Sequence, residues 1–138
     1  MQQIIFKSAE FLRMKAKHHA EIQALYELCG KMKERGALGK LKRTINEKVI
    51  DWNRNGLRVK DYYDLHGMTT NGAVRFVLGI VENMQFYGKI KLETGRGNHS
   101  KDNIPVIKNK LLRTFNCRSR CKIFEDKLNP GVLILSLW

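Results

Sequence analysis

The stretch "YYDLHGMTT" at residues 62–70 sets an Asp and a His two apart at the end of a short apolar run, and "TGRGNHS" at 94–100 puts two glycines around an arginine. An imidazole titrates near neutral pH and so can take or give a proton, and a neighbouring carboxylate can orient it or hold it protonated. Gly95 and Gly97 allow the backbone to approach a phosphate closely, and the loop they belong to feeds a helix N-terminus, where free N–H groups favour anions. Cleavage of RNA by its own 2′-OH needs a base, an acid and a cation for the developing phosphorane charge, and no metal. On that chemistry His66 is the proton shuttle, Asp64 its partner, Arg96 the stabilising cation, and His99 a second proton-transfer candidate. Each residue also has a plainer role open to it. Asp64 can accept backbone N–H groups at a turn, His66 can be a structural histidine before Gly67, Arg96 can clamp a phosphate without chemistry, and His99 can sit on a surface loop.

Charge supplies the second line of inference. The chain has 138 residues, with 26 Lys and Arg against 13 Asp and Glu, a formal net charge of +13 that suits a polyanionic partner. Residues 1–60 hold 14 basic and 6 acidic side chains, 61–86 hold 1 and 3, 87–122 hold 10 and 2, and 123–138 hold 1 and 2. Two basic blocks therefore flank a near-neutral one, which favours nucleic acid over a merely solvated surface. Lys89, Lys91, Lys101, Lys108 and Lys110 are the expected backbone contacts, positioning a strand rather than reading its bases. Tyr62, Tyr87 and Trp138 are available to stack bases. No apolar run is long enough to span a membrane and no leader-like segment opens the chain, so a cytoplasmic protein is expected, and separately a monomer. Three cysteines, Cys29, Cys117 and Cys121, form no paired framework, and nothing completes a zinc site around the last two.

The elements that must position these residues are legible in the periodicity. Ile22, Leu25, Tyr26, Cys29 and Met32 form one apolar stripe and Leu41, Ile45, Val49 and Trp52 another, so residues 1–60 read as a helical hairpin broken near Gly36 and Gly39. Beyond "NRNG" at 53–56 the texture changes. Strands are expected at about 62–65, 89–94, 120–125 and 132–137, with helices at about 70–86 and 104–115. Thr69 or Thr70 would cap the first of those helices, Asn103 the second with Pro105 in its first turn, and "NPG" at 129–131 would turn the chain before the last strand. This β-α-β-α-β-β order over 61–138 predicts an α/β two-layer sandwich, a four-stranded mixed sheet with both helices on one face. Strand alternation places Asp64 and His66 together, on the face or edge that carries Lys89 and Lys91.

"DLHGMT", "TGRGNHS", "IPVIKNKLL" and "NPGVLILSL" occur in this order over residues 61–138, and in that respect the chain resembles the small MutS-related (Smr) domain family. The helices ending in "WNRNG" are similar to the extension that precedes this domain in many eukaryotic members. The resemblance implies a sandwich related in shape to the C-terminal domain of bacterial translation initiation factor three, and a nuclease activity. It further implies a likeness to the endonucleases of no-go mRNA decay, which cut mRNA at stalled or collided ribosomes. Asp64 and His66 match the family's Asp-x-His, and Arg96 is the variable residue of its Gly-x-Gly. Many members open that second motif with His, where this chain has Thr94.

The expected function is an endoribonuclease acting on single-stranded RNA without a cofactor. A non-catalytic RNA- or ribosome-binding module is the main alternative. The third is a DNA-nicking enzyme using Mg²⁺ held by carboxylates such as Asp64 and Glu93, against which nearby lysines argue by repelling a cation.

Overall fold

The computed structural model describes residues 9–55, 61–83, 88–95 and 105–138, the side chain of residue 55 excepted. The chain divides into two compact units, Met1–Lys60 and Asp61–Trp138.

In the first unit, helix α1 (Ala9–Lys31) is followed by helix α2 (Arg35–Asn55). Phe11, His18 and Ile22 are buried from α1, and Ile45, Val49 and Asn53 from α2, each set recurring at helical spacing. The Trp52 indole lies flat on the His18 ring, with centroids 4.8 Å apart and planes 7° from parallel. Asn53, buried among apolar groups, donates from Nδ2 to the Val49 carbonyl at 2.9 Å, which satisfies a polar group that would otherwise be costly there.

The break between the helices falls at residues 32–34 rather than at Gly36 and Gly39, which lie inside α2. Glu34 explains the shift. Its carboxylate accepts the N–H groups of Gly36 and Ala37 at 2.8 and 2.7 Å, capping the helix ahead of both glycines. A Cβ on Gly36 would stand 2.9 Å from that carboxylate, so glycine makes room for the cap instead of ending the helix.

The second unit is an α/β two-layer sandwich. Its elements are β1 (Tyr62–Asp64), α3 (Thr70–Asn83), β2 (Gly88–Glu93), α4 (Val106–Phe115), β3 (Cys121–Asp126) and β4 (Asn129–Leu137). The mixed sheet runs β1-β2-β4-β3, with β1 parallel to β2 and β4 antiparallel to both of its neighbours. The last strand in sequence therefore lies in the middle of the sheet, which accounts for the long apolar run of "VLILSLW". Ile90, Leu92, Leu133, Leu135, Cys121 and Ile123 are buried on one sheet face, and α3 and α4 supply Ala73, Val77, Leu111 and Phe115. Each large apolar side chain so buried contributes about 1.5–3 kcal/mol.

Two local expectations shift. The β3–β4 turn is Lys127–Leu128, two residues before "NPG", because the Asp126 carboxylate accepts the Leu128 N–H at 2.9 Å and closes the chain there. Pro105 stands at the N-cap position of α4 rather than inside its first turn, and Asn103 lies outside the described residues. Thr69 is the cap of α3, accepting the Gly72 N–H on Oγ1 at 3.1 Å. Among the described residues no helix is long and apolar enough to cross a membrane.

Candidate functional site

The site forms where the parallel strands β1 and β2 end side by side, in register from Tyr62 opposite Lys91 to Asp64 opposite Glu93. Leu65 N–H donates to the Glu93 carbonyl at 2.8 Å, the last bond before the two chains part. His66 does not continue the strand alternation. The Asp64 carboxylate, buried at 4% exposure, accepts the His66 backbone N–H at 3.0 Å, and Met68 N–H closes a turn on the Leu65 carbonyl at 3.1 Å. Gly67, third in that turn, has φ +95°, which glycine adopts without strain. The expected shared strand face for Asp64 and His66 is thus replaced by a turn, since the short acidic side chain bends the chain back over itself. His66 is left half-buried at the strand ends, just ahead of the capped helix α3.

Just past β2, Thr94 and Gly95 both donate their N–H groups to the Gly131 carbonyl, at 2.9 and 3.2 Å, which ties the chain there to β4. Gly95 has φ +80°, and a Cβ there would stand 2.9 Å from His66 Cδ2. The first glycine of one motif therefore touches the histidine of the other. Thr94 is itself buried. Arg96, Gly97, His99 and Lys101 lie outside the described residues, as does Tyr87.

Beside Asp64, the Glu93 carboxylate is held by the Tyr62 hydroxyl, which donates to Oε1 at 2.7 Å. Burial raises the Tyr62 phenol well above its ordinary value, and the Glu93 charge adds to the effect, so it remains a donor. The strand pattern places it on the face of Asp64, but only the register reveals its partner. Oxygen atoms of Asp64 and Glu93 come within 4.8 Å of one another, close enough to share a cation, although one oxygen of each already accepts a hydrogen bond.

The predicted lysines part company. Lys89 and Lys91 are exposed on the sheet face away from the helices, where Lys91 pairs with Asp126 at 3.3 Å. Lys110 is exposed on α4, in the other layer. Lys108 is buried, donating to the Pro130 carbonyl at 3.0 Å and paired with Glu125, so it ties α4 to the β3–β4 hairpin and is not an accessible phosphate contact. Sequence spacing does not distinguish such a lysine from its neighbours, because the acceptors come from residues more than fifteen positions away. The three cysteines are free thiols, with Cys121 raised by burial.

A two-layer sandwich with an Asp-turn-His at the strand ends, and Gly95 packed beside the histidine, is the class that fold and site define. No family model matches the chain, and no curated protein does. Among solved structures it is similar to the solution structure of the B3BP Smr domain, at 21% identity and a TM-score of 0.43, over 72% of this chain and 90% of that one.

Proposed function

We propose that this chain is an endoribonuclease of the Smr type, cutting single-stranded RNA, in cells mRNA on stalled or collided ribosomes in the cytoplasm. The observation that carries the reading is the contact of Gly95 with the His66 ring while Asp64 holds the His66 backbone. Two motifs separated in sequence thereby meet at one point, and Arg96 is the next residue in the chain. In this reading the substrate's 2′-OH attacks the adjacent phosphorus as His66 takes its proton. The bond to the 5′-oxygen then breaks as His99 gives that oxygen a proton, and Arg96 stabilises the charge between the two events. The products are a 2′,3′-cyclic phosphate and a 5′-OH.

A metal-dependent nicking reaction is the second reading, favoured by the approach of Asp64 and Glu93. One experiment separates the two: end-labelled single-stranded RNA and DNA incubated in EDTA or in magnesium, with His66→Ala and Arg96→Ala alongside. EDTA-resistant cutting of RNA, lost in both variants and leaving cyclic phosphate, supports the first. Chelator-sensitive cutting with 5′-phosphate ends supports the second, and binding without cutting in either buffer makes the chain a non-catalytic RNA module.

A further inference from the structure

Strand register sorts the sheet face away from the helices into rows. Asp64, Glu93 and Val132 form the row at the site, and Tyr62, Lys91, Ile134 and Phe124 the next. Lys89, Ser136 and Lys122 form the third, where β2 pairs Lys89 with Ser136 and β3 pairs Lys122 with the same serine. Charge changes sign along this face. The first row holds two carboxylates, the Lys91 charge in the second is answered by Asp126, and the third holds two exposed lysines. Among the described residues no carboxylate pairs with either Lys89 or Lys122. Just past this row Trp138 is 53% exposed, and Arg120 donates from Nε to its carbonyl at 3.0 Å.

We propose that this third row is an anchoring subsite for single-stranded RNA, with Lys89 and Lys122 on successive phosphates of the strand's flank and Trp138 as a platform for a base. The inference rests on the RNA-cleaving reading above and adds where the rest of the substrate lies. Two strand spacings put the lysine backbones about 10 Å apart, and four residues along β2 put Lys89 about 13 Å from the Glu93 row. A dinucleotide centred on the scissile phosphate does not cover that distance, whereas a longer strand does. Cations beside an exposed aromatic are the features that hold single strands without reading sequence. Polyanion complementarity selects this occupant, because the row holds two exposed cations and no acidic member.

The test compares Lys89→Gln/Lys122→Gln with Arg113→Gln, an exposed charge on α4. Binding is measured in the His66→Ala background, so that it does not depend on turnover. For an RNA of about twelve nucleotides the double variant is expected to weaken binding about tenfold. The slope of log Kd against log salt should fall by about 1.4, two contacts at about 0.7 each. Affinity for a dinucleoside monophosphate should not change, and Arg113→Gln should match the parent. With His66 restored, KM for the longer RNA should rise while kcat holds. Equal weakening on both RNA lengths, an equal effect of Arg113→Gln, or an unchanged slope would overturn the subsite. Failure of the native chain to cut RNA would sink the nuclease reading but leave the binding result standing.

Discussion

The two ends of the outer sheet face differ in how their polar groups are committed. At the Asp64 end, side chains are buried or half-buried and held: Asp64 accepts from the His66 backbone, Tyr62 donates to Glu93, and Gly95 lies against the imidazole. At the Lys89 end, flexible cations stand in solvent. Chemistry requires groups held within tenths of an ångström, since misplacement forfeits transition-state stabilisation. Binding a polyanion of any sequence requires only charge at a suitable spacing. In the reading proposed above, one sheet face serves both needs, because strand register sets its two ends in separate rows.

Removing the imidazole has the largest expected effect. His66→Ala is expected to lower single-turnover cleavage by about 100-fold to 10,000-fold while the Kd for RNA changes less than about twofold. A parallel loss of binding would mean that the two ends are not separate. Gly95→Ala comes next. Its φ of +80° and the short contact to His66 force a displacement of loop or ring, costing about 1–3 kcal/mol in a denaturant titration and at least tenfold in cleavage. If the alanine variant cuts as well as the parent, contact between the motifs is incidental.

Lys108→Met tests whether the buried lysine belongs to the fold. Loss of the bond to Pro130 and of the pair with Glu125 should lower stability by about 1–2 kcal/mol in urea, while the folded protein binds RNA as before. The smallest effect expected concerns acid. The Leu128 N–H, and secondarily Lys91, hold the Asp126 carboxyl below its ordinary value. Its contribution is therefore full above the unfolded aspartate value of about 3.9 and disappears as pH falls through the lower folded value. Melting curves of Asp126→Asn and the parent should stay a constant interval apart from pH 7 to about 4 and converge below.

Much of this was legible in the residues. Amphipathic spacing gave both N-terminal helices, and Thr69 announced the start of α3. The strands and helices of residues 61–138 appear in their expected order. Asp64, His66 and Gly95 stood out only through the conjunction of two motifs, since each motif alone also suits a plain turn. Where a side chain captured a nearby N–H, local reading misplaced a boundary by a residue or more. Glu34 moved the hairpin break ahead of Gly36, Asp126 moved the turn ahead of Pro130, and Asp64 turned His66 off the strand.

Sequence alone thus determined the order and type of the elements and the residues able to do chemistry, since both follow from periodicity and functional groups that act within a few positions. Tertiary structure decided which groups meet. Glu93 receives the Tyr62 hydroxyl, Lys108 is drawn inside, and Lys89 and Lys122 flank one serine. Those pairings depend on β1 lying in register beside β2 and on β4 inserting between β2 and β3, long-range choices made by burying apolar faces from the whole unit at once.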